Sequence, residues 1–481
     1  MRKFCLSIVA SLLLVAAANA RQTVRLDLSR TILLATDSSL TADKYRSVYD
    51  QSRWEYLAYA ASRKPQFRLE STPVSYDRYL VQRYLSDEDR DVYRQQRLYY
   101  GEASVTVSQT FEPLGGTFYG STGLGYLSNF GEYNYSQFTT VPILVGYKQE
   151  LFGFNALKWQ RKIEEQKMTA AEKTLSFNKE ETAAQAAEKF FDLVMAQFVC
   201  RAAIDDSARC DTVYTIGQRK FNIASISKAE LLTLEIDRQN AENALINARL
   251  QLSDAMRNLA DFLNMEPDTR IELVVPSATP TGTINLDEAL RYARENNPSA
   301  ADDRRKIIEA ERDVERAKVE NRLNLGFDLR VGLNQVHENL WRAYGHPLLQ
   351  DYAAVNLSLP LKDWGVGKYK ISAATEALES ARKTAEINLL DAERDVRSAV
   401  LTFNEQQALV NNTGRTRDIA DEAYNNTFLR FASGKATVND ITLAQNRRQT
   451  ALKNHIAAIC NCWMSYFQVR KATLHDFFPN K

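Results

Sequence analysis

The sequence predicts an α+β membrane protein, a long α-helical coiled coil joined to a transmembrane β-barrel and built by internal duplication. Three observations carry this. Two stretches, 143–266 and 361–478, contain no proline although the chain has 11. Several short runs alternate apolar and polar residues without a break. The turn "FNIASISKAELLTLEIDRQNAE" at 221–242 is also written a second time, as "FASGKATVNDITLAQNRRQTAL" at 431–452. Within that repeat Phe221 falls on Phe431, Ser227 on Thr437, Glu230 on Asp440 and Arg238 on Arg448, 210 positions apart and without a gap.

At the N-terminus, MRKFCLSIVASLLLVAAANA has a basic head, an apolar run and an Ala-Asn-Ala cleavage site. That is a secretory signal peptide over residues 1–20, too short for a membrane anchor. Charge is balanced, with 61 Lys and Arg against 60 Asp and Glu, so the chain offers no electrostatic footprint for nucleic acid. No later run reaches the ~18 continuous apolar residues of a membrane helix, so any crossing must be made by strands.

The first repeat spans 21–275 and the second 276–481, each reading helix, strands, long helix, turn, helix. "LDLSRTILLATDSSLTADKYR" from Leu26 aligns with "INLDEALRYARENNPSAADDR" from Ile284 at an offset of 258, which also carries Phe67 to Leu325. Further along, Val145 falls on Val355 and Leu151 on Leu361 at an offset of 210. The difference places 48 extra residues in the first repeat between about 70 and 145, as an added hairpin or a decoration.

Helices are expected at about 40–63, 155–221, 228–264, 287–321, 366–431 and 438–473. Proline deletes a backbone donor and clashes inside a helix, so its absence permits unbroken runs of about 100 Å at 1.5 Å per residue. Helices that long need a partner along their length. Ala241, Leu245, Ala248, Leu252, Ala255, Leu259 and Phe262 supply one, a seam at alternating steps of four and three that implies left-handed coiled-coil packing.

Strands are expected within about 65–152 and 323–361. Leu325, Phe327 and Leu329 share one face of "LNLGFDLRVGL", and Val355, Leu357 and Leu359 one face of the run after Ala353; both are taken as lipid-facing. Each run matches the 9–11 residues of a tilted membrane strand, with a wet opposite face. "EASVTVSQTFE", "TFYGSTGLGYL" and "TTVPILVGYKQELF" alternate in the same way, and 66–72 is a further candidate. A soluble sandwich has the same period, so a secreted coiled-coil structural or adhesive protein with a small β head is the alternative. Two spanning strands per repeat give four per chain, short of the smallest barrel of eight; three chains would supply twelve.

The four histidines and the cysteines show no metal-ligand spacing, and there is no Ser/His/Asp set or phosphate loop. No enzyme activity and no cofactor are expected. Cys200, Cys210, Cys460 and Cys462 follow the leader; local pairs cannot bridge, which leaves a cross-helix bond from Cys200 to Cys460 or Cys462, or buried free thiols.

"RYARENNPSA", "VGYKQELFGFNALKW" and "RFASGKATVNDITLAQNRRQTAL", through their order within the repeats, their duplication and their spacing, resemble the TolC family of outer-membrane efflux proteins. The resemblance implies a homotrimer in the cell outer membrane of a Gram-negative bacterium, with a twelve-strand barrel and a twelve-helix tunnel through the periplasm. It implies docking to a periplasmic adaptor protein and an inner-membrane pump, proton-driven or ATP-driven (RND or ABC type), in efflux or type I secretion. Cargo, drugs, metal ions or proteins, would pass outward without catalysis. The two turns would be the periplasmic gate and adaptor-docking tip: Phe221, Ala224, Ser227 and Glu230, with Phe431, Gly434, Thr437 and Asp440. Ser227 to Glu230 and Thr437 to Asp440 also read as helix capping boxes. By resemblance Asp440 occupies an acidic gate position, Leu443 fills the other gate position without charge, and Ala224 stands where the family has a turn glycine.

Overall fold

The computed structural model describes residues 23–85, 89–130, 134–266, 269–274, 276 and 279–479. The expected leader, 1–20, lies outside the described residues. In chain order the elements are β1 (Thr23–Asp27), α1 (Leu28–Ser38), α2 (Leu40–Ser62), β2 (Gln66–Leu85), β3 (Arg90–Phe111), β4 (Gly116–Phe130), β5 (Asn134–Glu150), α3 (Ala156–Asn222), α4 (Lys228–Phe262) and β6 (Arg270–Val274). The second repeat continues with α5 (Leu286–Asn296), α6 (Pro298–Glu320), β7 (Asn324–His337), α7 (Leu340–Ala343), β8 (Leu348–Ser358), α8 (Val366–Ala432) and α9 (Val438–Thr473). Two compact units each draw on both repeats. One holds residues up to Asp50, Ala171–Ala300 and Ile387–Lys481; the other holds Gln51–Ala170 and Ala301–Glu386.

α3 and α8 are each 67 residues long. Their first N–H groups are met by side chains: Asn155 Oδ1 accepts from Lys158 N–H at 3.1 Å, and Asp363 accepts from the N–H groups of Gly365 and Gly367 at 3.0 and 2.6 Å. Such caps satisfy donors that the helix cannot satisfy internally.

The expected helix 287–321 is two helices. Pro298 disfavours helical backbone at the residue before it, and Asn297 stands at φ −56°, ψ 119° between α5 and α6. The first repeat breaks at the equivalent place without a proline. Ser39, 258 positions earlier, is extended at φ −77°, ψ 151°, and its Oγ accepts from the Ala42 N–H at 3.1 Å. A hydroxyl cap thus does in one copy what proline does in the other.

The helical core of the first unit is built from three long helices. Phe190, Phe191 and Val194 of α3, Val396, Val400 and Phe403 of α8, and Trp463, Tyr466 and Phe467 of α9 form one buried cluster with Leu290 and Ala293 of α5. In a second cluster Leu193 meets Leu259 and Ala260 of α4, with Leu252, Ala255 and Phe262 packed around them, so the expected seam faces inward. At roughly 25 cal/mol per Å2 each fully buried Phe or Leu stabilises the bundle by about 1.5–3 kcal/mol. A two-stranded parallel sheet, β1 with β6, lies beside this cluster through Leu26 and Ile271 and was not expected from the sequence.

The second unit contains one antiparallel sheet of six strands in the order β2-β3-β4-β5-β7-β8. The first repeat therefore supplies four strands, not two, and the extra residues form the hairpin β3–β4. Strand ends also differ from expectation. β7 runs on to His337 and β8 starts at Leu348, so the ladder reaches into the expected loop and leaves only a short connection around α7. Leu359, expected inside β8, lies one residue past its end, before Pro360.

Register puts one set of side chains on one face from edge to edge. Phe67 and Leu69 pair with Val107 and Val105, which pair with Gly120 and Thr122; Gly120 pairs with Val145, Val145 with Val331, and Val331 with Asp351. Phe118, Tyr147, Leu329 and Ala353 form the next row, and Phe327 with Val355 and Leu325 with Leu357 continue it. The opposite face carries Arg68, Glu70, Ser104, Thr106, Ser121, Lys148, Asp328, Arg330 and Asn356. There the Arg330 guanidinium stacks 4.0 Å from the Tyr352 ring centroid, and Tyr119 donates to Asp328 at 3.5 Å. The apolar face is open: Phe67 is 76 % exposed and Leu357 66 %.

Candidate functional site

The duplicated turns have the same backbone. After α3, the N–H of Ala224 donates to Phe221 O at 2.8 Å and that of Ser225 to Lys220 O at 2.8 Å. After α8, the N–H of Gly434 donates to Phe431 O at 3.1 Å and that of Lys435 to Arg430 O at 2.8 Å. These are paired closures of a helix C-terminus around a left-handed residue. Ala224 has φ 59° and Gly434 φ 74°, so alanine holds in one copy the conformation that glycine holds in the other.

Each return helix then starts on a capping box. Ser227 accepts from the Glu230 N–H at 3.2 Å, and Glu230 accepts from the Ser227 N–H at 2.8 Å. Thr437 and Asp440 repeat this at 3.2 and 2.9 Å. The backbone N–H and then the hydroxyl of the N-cap residue hold both carboxyls below their ordinary range. Both acids are therefore charged at neutral pH at solvent-accessible helix N-termini, where the helix dipole favours them.

The two phenylalanines differ. Phe431 is 1 % exposed and joins Val213 of α3, Leu234 of α4, Tyr424 of α8 and Val438 and Ile441 of α9 in a cluster that ties both helical hairpins together. The Lys220 ammonium sits 4.1 Å from the Phe431 ring centroid and donates to the Phe431 carbonyl. Phe221 is only half-buried, with Lys228 5.7 Å from its ring. Leu443 is largely exposed.

One further duplicated constellation lies beyond the sequence expectations, although its arginines align across the two turns. Asp211, Tyr214 and Arg238 recur 210 positions later as Asp421, Tyr424 and Arg448. Arg238 lies 4.0 Å from Asp211 and 5.0 Å from the Tyr214 ring; Arg448 pairs with Asp421 and lies 5.5 Å from the Tyr424 ring. Each arginine thus braces its return helix against the long helix before it. Both partners were identical in the two copies at the same spacing, and that was the signal available. Between the braces Gln445 Nε2 donates to Asp206 at 2.7 Å and to Cys210 Sγ at 2.9 Å, while Thr442 donates to Asp237 at 3.0 Å. Burial raises the Asp206 carboxyl above its usual range and pushes the Cys210 thiol up to about 11.

Leu325, Phe327, Leu329, Val355 and Leu357, by contrast, lie in the second unit on the open face of the sheet. Cys200, Cys210, Cys460 and Cys462 are free and buried, with no bridge from Cys200. Among the described residues no group of three His, Cys, Asp or Glu could hold a metal ion, and no helix is long and apolar enough to cross a membrane.

The family model of outer membrane efflux proteins matches residues 289–470. The fold is that of solved outer membrane channels. The CmeC outer membrane channel of Campylobacter jejuni superposes with a TM-score of 0.68 at 14 % identity, over 93 % of this chain and 85 % of that one. VceC of Vibrio cholerae gives 0.65 at 13 %, over 94 % and 96 %. The open MtrE channel of Neisseria gonorrhoeae gives 0.61 at 14 %, over 93 % and 88 %. No curated protein sequence matches the chain.

Proposed function

We propose that this TolC-like outer membrane efflux protein is a passive exit duct, assembled from three copies in the outer membrane of a Gram-negative cell. The sheet face carries the reading. Its apolar side chains stay in register across six strands yet face outward, where a soluble sandwich head would bury them against a second layer. Lipid is the environment that suits one greasy and one charged face of the same antiparallel sheet.

The two turns then form the periplasmic mouth, where a periplasmic adaptor joined to an inner-membrane pump docks. Nothing is catalysed; energy comes from the pump. Under three-fold symmetry the exposed Asp440, and Glu230 beside it in the repeat, become rings of carboxylate, which favour cations and resist anions. Capping and gating do not compete, because hydrogen bonds from the N-cap keep both acids ionised.

Purified protein in planar bilayers tests this. The expected result is a trimer whose conductance favours cations, with the preference reduced in Asp440→Asn. A monomer in detergent, or no conductance, refutes the duct. Unchanged selectivity in the variant leaves Asp440 a helix cap alone.

A further inference from the structure

We infer that the membrane wall made by this chain has eighteen strands, six from each of three copies, rather than the twelve that its resemblance implies. The seam joins β8 of one copy to β2 of the next. This rests on the duct reading above.

The added hairpin is part of the wall and not an ornament. By the offsets of the duplication β2 corresponds to β7 and β5 to β8; β3 and β4 have no counterpart. They nevertheless stand between β2 and β5 in the ladder, so no continuous wall can leave them out. β3 pairs with β2 in one register from Gln66↔Ser108 to Thr72↔Glu102, ahead of a bulge at Thr72–Ser75, and with β4 from Leu98↔Asn129 to Phe111↔Gly116 without a shift. A one-residue slip within that stretch would turn the hairpin's side chains there to the wrong side. Instead Val105 and Phe118 point with Leu69 and Val145 to the apolar face.

The edges admit one closure. Six strands alternate in direction, so β2 and β8 run oppositely and a seam between copies is antiparallel. Within one chain the two edges do not pair among the described residues. The contact is head-to-tail, using a different edge on each copy, and such contacts close into a ring when the rotation permits. Apolar side chains at both edges, Phe67 and Leu357 among them, lie on the same side of the sheet, so the greasy band runs on across the seam.

Width follows from strand number. At about 4.8 Å between strands and about 40° of tilt, twelve strands close at about 24 Å across the backbone and eighteen at about 36 Å, about 1.5-fold wider. This duct's outer opening would therefore admit bulkier cargo than a twelve-strand wall.

Spin labels on single cysteines in the full chain, reconstituted into liposomes, test this. The variants are Val105→Cys and Phe118→Cys on the added hairpin, with Val145→Cys and Val355→Cys as references. The native thiols are buried and escape labelling under folded conditions. All four sites are expected to relax faster with dissolved oxygen than with a water-soluble nickel chelate. If the references report lipid and the hairpin sites report water, the eighteen-strand wall is wrong and the duct stands. References that report water overturn both. Electron-microscopic projections of the detergent-solubilised trimer give the second measure: a ring about 1.5-fold wider than the twelve-strand value supports the inference, and one at about 24 Å refutes it.

Discussion

Replacing Gly434 by alanine and Ala224 by glycine should move the two turns in opposite directions. Both residues sit in the left-handed region, at φ 74° and 59°. A Cβ built on Gly434 meets nothing within 4 Å, so the whole effect is backbone. A non-glycine residue there costs about 1–2 kcal/mol, and glycine's larger unfolded-state entropy returns about 0.4–1 kcal/mol. Gly434→Ala should therefore lose about 1 kcal/mol locally and Ala224→Gly should gain up to about the same, roughly fivefold each in the local opening constant. Hydrogen exchange read by mass spectrometry on peptides covering 216–240 and 426–450 is the assay. Faster exchange in the second peptide for Gly434→Ala, slower exchange in the first for Ala224→Gly, and both changes side by side in the double variant are expected. The same sign in both single variants would refute the reasoning, and so would a loss above about 3 kcal/mol at 434, because no steric clash exists to supply it.

Two other expectations are independent of the turns. Asp206 lies among Gln445, Gln449, Arg209 and Asp237, and burial, the largest influence, raises its folded pKa. A raised carboxyl contributes stability that is present below its unfolded pKa of about 4 and lost as pH rises through the folded value. Asp206→Asn should then raise the melting temperature at pH 7–8 and leave it nearly unchanged at pH 4; an equal shift at both would show that charge is not the cause. Val331→Arg puts a cation on the apolar face and, for a position near the bilayer midplane, costs about 2–4 kcal/mol. The yield of folded, detergent-resistant trimer should fall, and unaltered yield would argue that lipid does not touch β7.

The helices and the tip were legible because their determinants are local. Proline exclusion, the three–four seam and the Ser227 and Thr437 boxes act within a turn or two of chain, and α3, α4, α8 and α9 end within two residues of expectation. The break at Asn297–Pro298 is equally local, because proline disfavours helical backbone at the residue before it, and it divides the single helix expected over 287–321. The Asp211–Tyr214–Arg238 brace and its copy were within reach by the same alignment that found the turns.

By itself the sequence determined the duplication, the long paired helices, the capped turns and the alternation of each strand, because each rests on near neighbours or on comparing the chain with itself. Only the tertiary structure decided that Phe431 is buried while Phe221 is not. It also decided that β1 joins β6, that the cysteines stay apart, and that β3 and β4 enter the sheet as full members. Those outcomes depend on which distant segments meet. Alternation along a strand says which face is apolar but not which strand lies beside it, so the count of strands in the sheet came from pairing alone.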